Sequence, residues 1–395
     1  MGVKHLFKVL KSVSPDAISN KALSDLSGKC IGIDMSLSIY QVVLGIVATT
    51  NEGLMNRKGE DITHLYGMLQ RLSIFRKHNI NVIAVFDGKP TKMKATTIEK
   101  RKQQQKKNIK KSNTYKTRFQ ITKTIIKEVK QMLDCLCVPY IDAKTEADVM
   151  LAKLYSESII HLIASDDSDI PVFGGMKLIR KFKSTSKTIE LVDFDIFLDT
   201  MKWTQQQLID LACLLGNDYN KNPKQIGWKR SIEGLKTFGR MKPFLESKHR
   251  TKEIITLEGT AKYYESASYD ETILGVEFEF KKPDIHALRW LLNSKLNIND
   301  KKSDQMVNIW RDCIEFKLIK TTSVTQTLSD VYVHRINDII SQTCKGNLID
   351  YKFLQNTMSH TLYDKIGVLS KITMFRNQLL EDSNSSKLYF TKCII

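Results

Sequence analysis

The sequence predicts an α/β protein with a mostly parallel central sheet flanked by helices, and three observations carry that prediction. Short β-branched runs alternate with helical patterns through the first half; the runs, such as VIAVF, are nearly continuous in apolar residues; and 42% of the 395 residues are hydrophobic, enough for a substantial core. A strand open to water on one face would alternate apolar and polar residues, so continuous runs imply helices on both faces.

In chain order, strands are expected in KCIGID, INVIAVFD, CVPYIDA, IIHLIASD, KLIRKF and TIELVDF, with a helix in SLSIYQVVLGIV after the first. From about 203 to 311 the pattern turns mainly helical, and 312 to 395 reads as polar helices and loops. Residues 91 to 130 interrupt the alternation: they have few apolar side chains, no clear strand, and fourteen Lys or Arg against Glu99 and Glu128. By composition alone this is a solvated lysine-rich insertion. Its position directly after VFDGKP brings it out of the sheet beside Asp87.

That segment holds +12 of a formal net charge of +18. Such a balance favours a polyanionic partner, nucleic acid first. The seven cysteines include no C-x-x-C pair, which argues against a zinc site and for reduced thiols in a reducing compartment. No stretch approaches the roughly 18 apolar residues of a membrane helix, and MGVKHLFKVL lacks a signal-peptide core. Leu6 stands where a myristoylation signal needs Ser or Thr. A soluble intracellular protein is expected. The absence of G-x-x-x-x-G-K-[ST] and of a G-x-S-x-G elbow disfavours nucleotide-driven and serine-hydrolase chemistry.

The chemistry-bearing residues are acids. Asp34, Asp87, and Asp167 with Asp169 fall at predicted carboxyl ends of strands, and Glu146 and Asp148 follow VPYID. Parallel sheets gather such ends in space, where uncompensated carboxylates repel. Bound cations remove that repulsion, and an all-oxygen donor set suits Mg²⁺ or Mn²⁺. Two such ions about 4 Å apart can activate water and stabilise the leaving oxygen of a phosphodiester. Local readings stand beside this one: Thr145-x-x-Asp148 fits a helix capping box, Ser165 to Asp169 an Asx turn, and Asp218 in LLGNDYN the end of a helix.

The strings DMSLSIYQ, VFDGKP, YIDAKTEAD, IASDDSDIPVFG and LLGNDYN, in this order, resemble the flap endonuclease branch of the XPG 5′-nucleases. The likeness begins at MGVKHLFKVL and fades by about residue 311, where EFKKPDIHALRWLL resembles the last shared segment. It implies a 5′-nuclease (PIN-like) domain over 1–311, with a basic helical arch about 91–130 and a helix-two-turn-helix DNA-binding motif about 208–240, followed by a divergent, mainly helical extension at 312–395.

By position, the family's seven metal-site carboxylates fall on Asp34, Asp87, Glu146, Asp148, Asp167, Asp169 and Asp218, none substituted. The resemblance places Asp34, Asp87, Glu146 and Asp148 toward one Mg²⁺, Asp169 and Asp218 toward a second, and Asp167 between them. Lys94 and Arg101 match the basic pair at the arch base that reaches the scissile phosphate. Tyr40 matches the aromatic that stacks on a base beside the cleaved bond, and Arg71 and Arg180 match positions that grip the duplex arms. Gly227, Lys229 and Arg230 match the phosphate contacts of the helix-two-turn-helix.

Departures from the family pattern are also visible. Gln225 replaces the first glycine of G-I-G and Trp228 the usual proline, which puts the turn geometry and the family's K⁺ site there in question. The span from Asp87 to Glu146 is short, which implies a smaller arch, and no clamp-binding box follows residue 311. Such a carboxyl end fits a divergent or viral member, placed in the nucleus if cellular and in host cytoplasm or a replication factory if viral. The expectation is a monomeric, metal-dependent endonuclease acting on branched or 5′-flapped duplex DNA in replication, repair or recombination. Two alternatives stay open: a 5′ to 3′ exonuclease or RNA-directed nuclease on the same scaffold, and a DNA-binding scaffold without catalysis.

Overall fold

The computed structural model describes residues 2–112, 114–182, 188–270, 277–311 and 316–319. Met1–Ile273 with Glu277–Lys317 make one compact unit, and the second, Leu274–Val276 with Leu318–Ile395, contributes only Leu318 and Ile319 to the described residues. The predicted arch and helix-two-turn-helix segments lie within the first unit, whereas almost all of the extension at 312–395 lies outside the described residues.

Seven strands form the sheet: β1 (Ile18–Ala22), β2 (Cys30–Asp34), β3 (Asn81–Phe86), β4 (Tyr140–Asp142), β5 (Leu162–Ala164), β6 (Lys177–Arg180) and β7 (Thr188–Asp193). Their spatial order is β1-β7-β6-β5-β2-β3-β4. From β6 to β4 every pairing is parallel, while β7 runs antiparallel to both β6 and β1. The sheet is therefore mixed but mostly parallel, as the continuous apolar runs imply. The edge strand β1, ISNKA, carries no apolar run, because an edge strand half open to solvent needs none.

The helices of the first unit are α1 (Leu6–Val13), α2 (Met35–Thr50), α3 (Thr63–Lys77), α4 (Ala95–Lys111), α5 (Tyr115–Arg118), α6 (Lys123–Cys135), α7 (Ala147–Ser156), α8 (Phe194–Met201), α9 (Gln205–Leu215), α10 (Trp228–Phe238), α11 (Met241–Glu246), α12 (Thr251–Asp270), α13 (Ile285–Arg289) and α14 (Asp300–Arg311). Strands β2 and β3 are buried along their whole length. Alternation sends Ile31, Ile33, Val82, Ala84 and Phe86 into one core with α2, α3 and α6. Gly32 points the other way, where a Cβ would meet Leu151 of α7 at 2.6 Å and Ile160 at 2.5 Å. A side chain there would have to push both of these side-chain ends aside. Each fully buried Ile or Val in these strands contributes about 1.5–3 kcal/mol.

The basic segment 91–130 is mainly helical where described: a 3-10 turn at Lys92–Lys94 leads into α4, then α5 and, after the non-helical residues 119–122, the start of α6. Helices α9 to α12 pack on one another, and α12 also packs on α7. Among the described residues no helix is long and apolar enough to cross a membrane.

Candidate functional site

Four adjacent parallel strands, in the order β5-β2-β3-β4, end at one edge of the sheet, and the predicted acids sit just there. Asp34 ends β2 and caps α2, its Oδ1 accepting the Leu37 amide at 3.0 Å. Asp87 follows β3, and its Oδ1 accepts the Ala147 amide at 3.0 Å, which ties that strand end to the start of α7. Glu146 is the N-cap of α7 without a side-chain cap bond, so the helix starts later than the Thr145 capping-box reading implies; Asp148 lies in its first turn.

Beyond β5, the Asp167 amide donates to Ser165 Oγ at 3.1 Å and the Asp169 amide to Asp167 Oδ1 at 3.1 Å. These local bonds are the Asx-type turn, and they coexist with a place in the cluster because each carboxylate has a second oxygen to spare. Asp218 follows the end of α9 at Leu215.

The acids sense one another. Burial first, and Asp87 next, push Asp34 up to about 8. Burial, then the Asp167 carboxylate, hold Asp148 and Asp169 well above the usual range. Asp167 is raised by burial and, less strongly, by Asp218. Lys94 stands among them. Burial alone would lower its ammonium, but Asp148, Glu146 and Asp169 outweigh that and drive it above its ordinary value. The folding chain has therefore collected Asp34, Asp87, Glu146, Asp148, Asp167, Asp169 and Asp218 within electrostatic reach of one another or of this lysine.

The base of the basic segment closes over the cluster. Lys94 Nζ donates to Glu146 Oε2 at 2.5 Å, and Arg101 Nη2 to Asp218 Oδ2 at 2.7 Å. Thr91 Oγ1 donates to Glu146 Oε1 at 3.2 Å and Thr97 Oγ1 to the Asp218 carbonyl at 2.6 Å. Two tyrosines complete the lining: Tyr219 donates to Glu146 Oε2 at 2.8 Å and Tyr264 to Asp169 Oδ1 at 2.7 Å. Sequence reasoning missed both. Tyr219 adjoins Asp218, which was a usable signal, but Tyr264 reaches the site from α12 and has no local mark.

No three Asp, Glu, His or Cys among the described residues stand as a ready set for a metal ion. Two buried oxygens are nevertheless unpartnered, Asp148 Oδ1 and Asp169 Oδ2. A buried carboxylate oxygen without a donor is costly, and an all-oxygen donor set fits a hard divalent cation.

The other predicted residues are dispersed. Tyr40 is 41% exposed, its ring 6.1 Å from Phe119, which in turn stacks on Tyr115. Arg71 is buried and donates to Gln41 Oε1 and the Phe182 carbonyl; burial lowers its guanidinium to about 10. Arg180 pairs with Glu190 at 2.9 Å and lies over the Phe7 ring. Gly227, Lys229 and Arg230 are exposed at the start of α10.

Residues 1–108 match the model of the XPG N-terminal domain and residues 137–218 that of the XPG I-region. The chain is 32% identical to flap endonuclease 1 of Methanosphaera stadtmanae over 270 residues, 64% of this chain and 80% of that protein. It is 32% identical to flap endonuclease 1 of Danio rerio over 307 residues, 72% and 80% of the two chains. The chain belongs to the XPG 5′-nuclease superfamily, in its flap-endonuclease branch.

Solved structures agree on the fold of this XPG-family chain. The catalytic core of Rad2 in complex with DNA substrate superposes with a TM-score of 0.60 at 24% identity, over 78% of this chain and 99% of that one. The flap endonuclease-1 of Methanococcus jannaschii gives 0.59 at 23%, over 76% and 98%. All seven acids, with Lys94 and Arg101, lie inside the two matched regions, whereas Gly227, Lys229 and Arg230 lie beyond them.

Proposed function

We propose that the chain is a structure-selective nuclease that hydrolyses DNA phosphodiester bonds at branched or 5′-flapped ends. The observation that carries this reading is the convergence of buried acids, two with unpartnered oxygens, beneath Lys94 and Arg101 at one edge of the sheet. DNA as substrate follows from the relatives, which are named flap endonucleases or were solved with DNA. The charge of +12 over residues 91–130 supports it.

Asp34, Asp87, Glu146 and Asp148 would hold one Mg²⁺ or Mn²⁺, Asp169 and Asp218 a second, with Asp167 between. Such ions, when bound, supply the charge that makes an acidic cleft attractive to phosphate and that activates water for in-line attack. The protein's own groups do the rest. Lys94 and Arg101 exchange their carboxylate partners for the oxygens of the scissile phosphate and stabilise charge developing there. Tyr40 offers an exposed face on which a base beside the cleaved bond stacks, worth about 1–3 kcal/mol. Arg71, now donating to Gln41 and Phe182, and Arg180, now paired with Glu190, would have to release those partners to grip the duplex arms. Residues 91–130 would act as the arch under which the 5′ strand passes, and Gly227, Lys229 and Arg230 would hold one duplex strand by its phosphates. Selectivity then comes from junction shape and phosphate position, since a nick or flap bends more easily than an intact duplex.

Labelled 5′-flap, recessed-end, four-way-junction and all-RNA substrates, each with Mg²⁺ and with EDTA, test this reading. Cleavage of the flap in Mg²⁺ alone is expected, with Asp169→Asn slower by about 10³-fold or more. Preference for a recessed end or for RNA would move the chain to the exonuclease or RNA-directed alternative. A flap left equally intact by the unmodified protein and by Asp169→Asn would leave only a DNA-binding scaffold.

A further inference from the structure

The turn that precedes α10 is built unusually. Gln225 holds φ at +62°, a left-handed conformation that glycine adopts freely and a side chain adopts at a cost. Something must hold it there, and the hydrogen bonds around the turn identify what. The Ile226 amide donates to the Pro223 carbonyl at 3.3 Å. The next two carbonyls, of Lys224 and Gln225, take side-chain donors: Arg250 Nη2 donates to the Lys224 carbonyl at 3.1 Å, and Arg230 Nη1 to the Gln225 carbonyl at 2.7 Å. The two guanidinium groups reach the turn from different elements, the first turn of α10 and the residue before α12.

Carbonyl oxygens exposed in a turn are the ligands a monovalent cation would use. Here those of Lys224 and Gln225 already face guanidinium groups, that of Arg250 also paired through Nη1 with Glu253 at 3.1 Å and that of Arg230 supplying the charge nearest the Gln225 oxygen. Each keeps a second lone pair, but an ion bound there would sit beside two guanidinium groups, and like-charge repulsion would work against it. The residues present therefore do not fit a bound K⁺. The surroundings add further positive charge, with Lys8 and Lys229 lying 5.8 Å and 5.7 Å from the Trp228 ring centre.

We infer that Arg230 and Arg250 are the turn's built-in counter-cations, positioning residues that hold the Lys224 and Gln225 carbonyls and so present the start of α10 to a duplex phosphate without a monovalent metal ion. The inference rests on the nuclease reading above, because it concerns the grip on duplex DNA. It follows that duplex affinity does not discriminate among alkali cations. A guanidinium is tethered and always charged, so it does this work without recruiting an ion from solution. Arg230 spends one N–H on the carbonyl and has further donors for phosphate.

The test is fluorescence anisotropy of a labelled flapped duplex with the full chain in EDTA, in KCl, NaCl and LiCl at equal ionic strength. For the unmodified protein the three Kd values are expected to agree within about twofold. In the Arg230→Met, Arg250→Met double variant, Kd in LiCl is expected to weaken by about tenfold, the scale of a lost charge-assisted hydrogen bond, and KCl to recover part of that loss by binding the freed carbonyls. Clearly tighter binding of the unmodified protein in KCl than in LiCl would overturn the inference, and this comparison stands even if the double variant does not fold. An equal loss in all three salts would assign the arginines to phosphate alone and overturn it too. No duplex binding by the unmodified protein in any salt would sink the nuclease reading itself.

Discussion

Lys94 Nζ lies 2.5 Å from Glu146 Oε2, and the Tyr219 hydroxyl donates to that same oxygen from 2.8 Å. A cation from the start of the basic segment is thus seated inside the acidic cluster, between the end of β3 and the start of α7. The pair is nearly buried, with the Lys94 side chain 13% and that of Glu146 5% exposed.

Removing one partner of a buried ion pair leaves the other uncompensated, at a cost of about 3–5 kcal/mol. Lys94→Met is expected to lower Tm in EDTA and to gain more stability from added Mg²⁺ than the unmodified protein does, because a bound ion then takes over the neutralisation. Thermal scans of both proteins across a Mg²⁺ titration check this. Equal Mg²⁺ shifts would show that Lys94 does not compensate the acids.

Gly2 presses on the site from the amino terminus, with φ at +78°. A Cβ there would stand 2.3 Å from Asp167 Oδ1 and 2.8 Å from the Asp169 amide, so alanine must displace one of them. Gly2→Ala is expected to cost about 1–3 kcal/mol and, through displaced acids, to slow cleavage by about 10²-fold. Single-turnover rates with saturating Mg²⁺ measure the second effect, and an unchanged rate would separate the amino terminus from catalysis.

The Tyr115 hydroxyl donates to Asp61, and its ring stacks on Phe119 beneath Tyr40. This links α5 to the α2–α3 connection. Tyr115→Phe keeps the stack but loses the hydrogen bond, worth about 1.5–3 kcal/mol when the acceptor is charged. Trypsin is expected to cut the fourteen-cation segment 91–130 about tenfold to a hundredfold faster in the variant, the change that such a loss of local stability produces when local opening precedes cleavage. Identical digestion rates would mean that Asp61 does not hold α5.

Burial lowers the His64 imidazole below its ordinary 6.5, only partly offset by Glu128, whose Oε2 is 3.0 Å from Nε2. Between that lowered value and 6.5 the unfolded chain binds more protons at this site than the native protein. The His64 contribution to stability is therefore fully present above pH 6.5 and declines as pH falls through that window. Tm in EDTA is expected to drop more steeply from pH 7.5 to 5 for the unmodified protein than for His64→Gln. Parallel curves would remove His64 as a source of acid sensitivity.

The sequence alone determined the central strands and their parallel character, because burial on both faces of β2 and β3 forces continuous apolar runs, but it marked neither the edge strand β1 nor the antiparallel course of β7. It also marked the acids, since strand ends are read directly from where those runs stop. It could not show that Lys94 and Arg101 pair with Glu146 and Asp218, that Tyr264 reaches Asp169 across 95 residues, or that Arg71 is buried. Nor could it show that two arginines, one in the first turn of α10 and one after α11, hold the turn carbonyls of Lys224 and Gln225. Strand formation follows a local pattern of period and hydrophobicity, whereas these contacts depend on how α4, α7, α9, α10 and α12 pack around the sheet edge, and that packing brings together side chains with no fixed spacing in the chain.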